Sequence, residues 1–340
     1  MKIFIIGGTG FISKNIVDIL LERGHDVTIF TRGKSKNPFN PHKHLHFETG
    51  NRNNESDLKT AVGKNNFDAV YDMVSYTAEQ SEKAVKIIKG HTGRFVHCST
   101  VSVYMVSNDV QCPITEDQDK RELMVNFPLR NPFGMDYGIN KRKCEDVLWE
   151  AHNPESFPVT MLRPAFVCGP EDKTRRDFFW IQRILDGKPL LVPGSGDFAF
   201  QQVYKNDTAK VFCNVIESDI TIGEAYNVAS EEIYSLNEYI FMISKILNKS
   251  PELVHIDQEV FDNLDISYYP GADVFPFNTR RTVVFSLDKI KNHIGYKSTP
   301  FKEWMPVTIN WYRKNVKDSF GYSERNRELE IIRRIRNKEI

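Results

Sequence analysis

Along this chain, short unbroken apolar runs alternate with segments that are apolar only at every third or fourth position. Lys2–Ile6 is of the first kind and predicts a buried strand; Asp26–Phe30, Leu45–Phe47, Ala69–Val74, Arg94–His97 and Val159–Leu162 read as further strands. Phe11–Arg23, Ser81–Lys89 and Tyr137 to about Ala151 carry the 3.6-residue period of helices. Strands alternating with helices in this way predict an α/β fold with a parallel, doubly wound sheet and a ligand across the strand C-termini. Beyond Gly169-Pro170 the chain is richer in Pro, Gly and aromatic residues and reads as a smaller mixed α/β domain. Val203-Tyr204-Lys205-Asn206-Asp207 looks like a return to the first domain. The expected division is 1–168 plus about 201–230 for the first domain, about 169–200 plus 231–315 for the second, and a charged helical tail over 316–340. In that tail Leu329, Ile332 and Ile335 share one helical stripe, a docking face rather than a basic arm.

Composition narrows the class without naming it. The 45 basic and 45 acidic residues cancel, so no global field favours a polyanion, and nucleic acid is disfavoured as the main partner. The apolar run at Ile3–Ile6 ends at once in glycines, so no signal peptide or membrane span is expected. The 5 cysteines are scattered, with neither a disulfide framework nor a metal clip, as in a reducing cytoplasm. His42, His44 and His46 alternate on a strand entry; a solvated face explains them better than zinc, and no metal is expected.

Candidate chemistry starts at the first turn. Gly7-Gly8-Thr9-Gly10 follows strand one, with Phe11 and Ile12 opening the helix. Such a turn lets a pyrophosphate approach backbone N–H groups at a helix N-terminus. Ser13 stands where the usual third glycine would be, and its small side chain is tolerable there. Strand two should end in the group that reads the adenosine ribose; instead of a carboxylate it ends in Thr31-Arg32-Gly33-Lys34. Two cations and no acid predict NADP(H) in preference to NAD(H), with NAD(H) still possible. Asn51 and Arg52, after strand three, are placed to face adenine, and Met73, Val74 and Ser75, after strand four, the nicotinamide half.

Tyr137 and Lys141 lie one turn apart on a helix face. Hydride transfer at a carbon bearing oxygen needs proton transfer at that oxygen. A free tyrosine, with a pKa of about 10, is a poor base, and lowering it by ~3 units takes roughly 4 kcal/mol. Lys141 can supply much of that by charge, and an oxidised nicotinamide adds more. The expected roles are Tyr137 as acid/base, Lys141 as activator and ribose ligand, and Thr100 as the hydroxyl that orients the reacting oxygen.

Gly7–Ser13, Ser99-Thr100 with Val103-Tyr104, Tyr137–Lys141, Arg163-Pro164-Ala165-Phe166-Val167-Cys168-Gly169-Pro170 and Gly223–Val228 with Leu236-Asn237-Glu238 resemble the extended short-chain dehydrogenase/reductase family nearly end to end. That family includes UDP-galactose 4-epimerase and sugar-nucleotide dehydratases. The resemblance implies a Rossmann-type fold, a Tyr–Lys–Ser/Thr site, a homodimer, Pro164 and Phe166 beside the cofactor, and Tyr76, Phe166 and Phe200 toward the substrate. Members that eliminate water carry Asp-Glu after the catalytic Thr; here Val101-Ser102 follows, which disfavours 4,6-dehydration and the related decarboxylation. Members that bind a nucleoside diphosphate usually have Asn and Arg where this chain has Phe166 and Phe200. The pyrophosphate must then find other cations, such as Arg175, Arg176, Arg280 or Arg281, or the substrate is not a nucleotide sugar. Phe30–Lys34, Phe275–Thr279 and Ser286–Lys289 resemble the branch containing the chloroplast stem-loop RNA-binding proteins. The expectation is an NADP(H)-favouring oxidoreductase acting at a secondary alcohol or ketone of a sugar-like, nucleotide-activated small molecule. Ketoreduction is preferred to redox-neutral 4-epimerisation, and an RNA-binding Rossmann scaffold is the alternative of another class.

Overall fold

In the computed structural model, residues 1–34, 36–125, 134–264, 275–317, 322 and 324–340 are described. The part of the tail at 318–321 and 323 lies outside them. In the first half, strands β1 (Lys2–Ile6), β2 (Asp26–Thr31), β3 (Leu45–Thr49), β4 (Ala69–Asp72), β5 (Phe95–Cys98) and β6 (Val159–Pro164) form the sheet. Helices α1 (Ser13–Glu22), α2 (Glu55–Val62), α3 (Ala78–Ile88), α4 (Ser102–Met105) and α5 (Gly134–Ala151) connect them. Then come β7 (Phe166–Cys168), α6 (Arg176–Leu185), β8 (Leu190–Pro193), β9 (Ala199–Phe200), β10 (Gln202–Tyr204), α7 (Lys205–Asn214) and β11 (Glu224–Val228). The last elements are β12 (Tyr234–Ser235), α8 (Leu236–Leu247), β13 (Leu253–Ile256), α9 (Gln258–Asp262), α10 (Asp288–Ile294), α11 (Phe301–Asn315) and α12 (Arg325–Arg336).

Seven strands pair in parallel in the order β3-β2-β1-β4-β5-β6-β11, the Rossmann-type doubly wound sheet expected. The central strands β1, β4 and β5 are apolar at successive positions because both faces are covered, whereas the edge strand β3 is exposed beyond Leu45. Ile3, Ile5, Ala69, Tyr71 and Val96 face the layer of α1 and α7; Phe4, Ile6, Val70, Phe95 and Met161 face α2, α3 and α5. A separate core gathers α6, α8, α11 and α12 around Trp180, Tyr239, Trp304 and Tyr312. The tail stripe docks on this core: Ile331 and Ile332 are buried in it, with Leu329 and Ile335 against its edge. Glu328 is fully buried there and paired with Arg183 and Arg325. Among the described residues no helix is long and apolar enough to cross a membrane.

One buried charge cluster locks the elements that carry the candidate site. The Arg163 guanidinium, on β6, donates to both Glu145 carboxylate oxygens on α5 (2.9 and 2.6 Å), to Asp119 (2.6 Å), to the Tyr104 hydroxyl (2.7 Å) and to the Glu116 carbonyl (2.7 Å). Ser99, just after β5, also donates to Glu145. Arg163 and Glu145 are respectively 0% and 1% exposed, so removing Glu145 leaves two buried guanidinium N–H groups without acceptors and Asp119 as the remaining carboxylate. Glu145→Ala is expected to cost about 3–5 kcal/mol in chemical denaturation, against under about 1 kcal/mol for exposed Glu150→Ala. Equal effects would contradict the clamp.

Asp177 on α6 gives a pH-dependent counterpart. It is fully buried, accepts from Gln202 (2.9 Å) and Tyr239 (2.7 Å), and burial pushes its carboxyl up to about 6 from 3.8. With the folded value above the unfolded one, the folded state binds the extra proton between these values. Stability from this group therefore rises as pH falls through about 6 and is lowest when the carboxylate is ionised. Asp177→Asn should stabilise by about 1–3 kcal/mol near pH 7.5 and by little below pH ~4. Denaturation midpoints of both proteins at the two pH values check this; the same gain at both would contradict it.

Candidate active site

The glycine turn is packed too tightly against its neighbours for side chains at its first two positions. A Cβ on Gly7, whose φ is +91°, would stand 2.7 Å from Val74 Cγ1, and one on Gly8 would stand 2.8 Å from Ile29. Ser13 replaces the third glycine usefully: its Oγ donates to the Gly7 carbonyl (2.7 Å) and accepts from Gly10 N–H (3.0 Å), so it staples the turn. No side chain caps α1, leaving first-turn amides beside Phe11 and Ile12 for an anion. Helix α1 thus begins at Ser13 rather than at the expected Phe11.

Arg32 and Lys34 follow β2 and are exposed, and neither has a hydrogen bond or ion pair among the described residues. Asn51 is exposed, its backbone N–H held by Asp57 (2.8 Å). Arg52 departs from its expected setting. It is 8% exposed and turned inward, donating to Asp72 at 2.7 Å and to the Gln80 carbonyl at 2.7 Å. The carboxylate that draws it away from an adenine position lies on β4, which ends at Asp72 instead of running on to Val74. Met73, Val74 and Ser75 form the turn after that strand; Met73 N–H bonds to the Ile6 carbonyl (3.1 Å), Val74 packs over Gly7, and Ser75 is buried.

The fold brings the expected proton-transfer residues together. Tyr137 and Thr100 are hydrogen-bonded through their side chains, and Ser102 N–H and Oγ both bond Thr100 Oγ1 at 3.2 Å. Gly138 makes this closeness possible. A Cβ there would stand 2.6 Å from the Ser102 carbonyl and 2.5 Å from Val106, so α5 could not rest on α4 with any other residue. Lys141 is 2% exposed, and its Nζ donates to the Ser75 carbonyl (2.8 Å) and the Cys98 carbonyl (2.7 Å), with His97 Nε2 at 3.3 Å. The electrostatics differ from the expected lowering by Lys141. Burial, followed by the Cys98 thiol, pushes the Tyr137 phenol up to about 12, while the Thr100 hydrogen bond pulls the other way. The ammonium is committed to backbone carbonyls, and desolvation wins.

Around this centre Tyr76 is half exposed, with its ring 5.9 Å from Lys141 Nζ, and Pro164 is buried, its carbonyl accepting from Val101 N–H (3.1 Å). Phe166 is partly exposed, edge-on to Phe277 (5.4 Å). Phe200 has no exposed surface and stacks on Phe277 (5.1 Å, 9°), so it backs Phe166 instead of meeting a substrate directly. The cations considered for a pyrophosphate have partners of their own. Arg176 lies 3.9 Å from Asp172 and over the Phe166 ring, Arg280 is paired with Asp262 (2.7 Å), and Arg281 donates to the Ser107 and Asn108 carbonyls. Arg175 precedes α6 in a left-handed conformation. Val101 and Ser102 bring no carboxylate to the Thr100 turn. Of the residues that matter here, sequence reasoning gave no role to His97, Asp72, Gly138 or Glu145. Only Gly138, a glycine inside a helix between Tyr137 and Lys141, carried a visible signal. No group of 3 or more His, Cys, Asp or Glu able to hold a metal occurs among the described residues.

Known proteins share this arrangement of elements. The sequence model of the NAD dependent epimerase/dehydratase family matches residues 3–229. The chain is 27% identical over 310 residues to the chloroplast stem-loop binding protein of 41 kDa b from Arabidopsis thaliana, covering 87% of this chain and 75% of that one. It is 24% identical over 351 residues to a UDP-N-acetyl-alpha-D-glucosaminuronate decarboxylase of Bacillus cytotoxicus, covering 93% and 99%. Its fold matches the crystal structure of dTDP-glucose 4,6-dehydratase from Bacillus anthracis in complex with NAD, with a TM-score of 0.71, 20% identity and coverage of 93% and 97%. With two thirds of its length matched from the first strand through β11, the chain belongs to the NAD dependent epimerase/dehydratase family.

Proposed function

We propose that the chain is an NADP(H)-favouring oxidoreductase that reduces a ketone, or oxidises the matching secondary alcohol, on a sugar-like, nucleotide-activated small molecule. The observation that carries this is the Tyr137–Thr100 hydrogen bond, with Lys141 one turn along the same helix and the glycine turn of β1 on the same sheet edge. The bound nicotinamide would supply or accept the hydride. Gly7, Gly10, Phe11 and Ile12 would hold its pyrophosphate, Arg32 and Lys34 an adenosine 2′-phosphate, and Val74 and Ser75 the nicotinamide half. Thr100 holds the reacting oxygen and Tyr137 exchanges the proton there. A phenol held near 12 is protonated at neutral pH, which is the form that gives a proton to a developing alkoxide. The Val101-Ser102 turn supports leaving 4,6-dehydration out, since no second acid follows Thr100. Likeness to the UDP-sugar decarboxylase supports a nucleotide-activated substrate.

Redox-neutral 4-epimerisation is the second reading, favoured by the family match. The stem-loop binding relative carries the third, RNA binding. The neutral charge balance and the buried Lys141 beside Tyr137 support an enzyme instead.

Tyr137→Phe should lower kcat for NADPH-dependent reduction of 4-keto nucleotide sugars by about 10²–10⁴-fold while leaving cofactor binding within about threefold. Stopped-flow absorbance with a substrate panel measures this, and a variant with full activity would refute the role. Fluorescence titration should give tighter binding of NADPH than of NADH, by about tenfold, with Arg32→Glu reversing the order. Tighter NADH binding by the unaltered protein would refute the cofactor preference. Salt-sensitive retention of RNA with no nicotinamide binding would replace the enzyme reading altogether.

A further inference from the structure

Behind Lys141 lies a polar cluster that neither the glycine turn nor the Tyr137 site uses. His97 and Asp72 are register partners on adjacent strands β5 and β4. They continue the sheet face lined by Phe4, Ile6, Val70 and Phe95, under α2, α3 and α5. Both are buried, at 0% and 1% exposure, among the apolar Ile6, Val70, Phe95 and Met161 of that face, with Arg163 next along β6. Arg52 reaches the same spot from the turn after β3 and bonds Asp72 Oδ1 at 2.7 Å. Three buried atoms here have no protein partner: Arg52 Nε, Asp72 Oδ2 and His97 Nδ1.

The hydrogen-bond roles are decided by counting. Lys141 Nζ has three N–H donors and no lone pair. Two go to the Ser75 and Cys98 carbonyls, and the third meets His97 Nε2 at 3.3 Å. Nε2 must therefore accept, which puts the ring proton on Nδ1. The ring is neutral, because burial first, and then the charges of Lys141, Arg52 and Arg163, push its pKa well below the ordinary value. The unpartnered atoms are then two donors, Arg52 Nε–H and His97 Nδ1–H, and one acceptor, Asp72 Oδ2. One internal water accepts twice and donates once to such a set, the usual number of bonds for a buried water. A neutral histidine tautomer is fixed by whatever its second nitrogen bonds.

We propose that His97 positions Lys141, accepting its third N–H through Nε2 while an internal water shared with Asp72 and Arg52 fixes the ring as the Nδ1–H tautomer. The inference rests on the reading of Lys141 as the ammonium whose charge serves Tyr137 and the nicotinamide half. A neutral acceptor takes up the third N–H of the ammonium and fixes where Nζ sits between the two carbonyls. The other titratable groups facing this ammonium are Cys144 on its own helix, Cys98 on β5 and Tyr76 after β4, with Tyr137 one turn back along the helix; Asp72 and Arg52 stand behind the histidine.

Two measurements on the full-length protein test this. Histidine ¹⁵N spectra, with His97 assigned by its loss in His97→Gln, should show an Nδ1–H neutral ring that does not titrate between about pH 5.5 and 8.5. An Nε2–H tautomer, or a ring that titrates in that range, overturns the proposal, and this arm needs no variant to be active. In the second arm, NADPH affinity is measured for the unaltered protein, His97→Phe, His97→Gln and Lys141→Met. Affinity should fall about tenfold in Lys141→Met and in His97→Phe, and return to within about threefold of the parent in His97→Gln, whose amide oxygen can accept in place of Nε2. An unaltered affinity in His97→Phe, with affinity lost in Lys141→Met, overturns this proposal alone. A Lys141→Met protein that binds like the parent overturns the reading of Lys141, and the proposal with it.

Discussion

The burial of Arg163 between β6 and α5 is the constraint on which the rest of the site depends. A guanidinium with no exposed surface requires every N–H to find a partner, and the partners available come from three elements. Glu145 belongs to α5, Tyr104 to α4, and Asp119 with the Glu116 carbonyl to the turn that follows. Ser99 ties the end of β5 to the same Glu145. Replacing the charges by apolar side chains could give an equally stable core, but it would not specify the same register between helix and sheet. That register places Tyr137 against Thr100 and puts the Lys141 ammonium between the carbonyls of residues 75 and 98. Gly138 adds the steric half of the fit, since contact with α4 leaves no room for a side chain there.

Two opposing terms set the chemistry of the phenol. Desolvation favours the neutral form, and the protein alone leaves this term dominant. Positive charge favours the phenolate, yet Lys141 spends its donors on backbone oxygens and a histidine. The protein therefore holds Tyr137 as an acid. Any lowering has to come with the ligand, whose charge would act in a dry site where Coulomb terms are large. A proton donor at rest and a base only when oxidised cofactor is bound would couple the direction of proton transfer to the redox state of the cofactor.

Much of this was legible from the residues, for physical reasons. Continuous apolar runs mark strands covered on both faces, so the sheet could be read from Lys2–Ile6 onward. The glycine turn and the Tyr–Lys spacing are local, and local geometry survives folding. Errors came where the deciding partner is distant in sequence. Arg52 looked like a free cation after a strand because Asp72, 20 positions away, is not visible as its neighbour. Phe200 looked like a contact residue because Phe277, which covers it, lies far along the chain. The tail stripe could be recognised as a docking face, but the pairing of Glu328 with Arg183 on α6 could not. His97 gave no signal at all, since a histidine in a strand reads as a solvated residue until its neighbours are known.

The most direct test is the titration of the Tyr137 phenol, followed by ¹³C-tyrosine spectra and assigned by Tyr137→Phe, with and without saturating NADP⁺. The account expects a midpoint near 12 for the protein alone and a fall of roughly 2 units or more with the oxidised cofactor, much reduced in Lys141→Met. A midpoint that the cofactor leaves unchanged would mean that the phenol and the nicotinamide do not share a site, and would contradict the account.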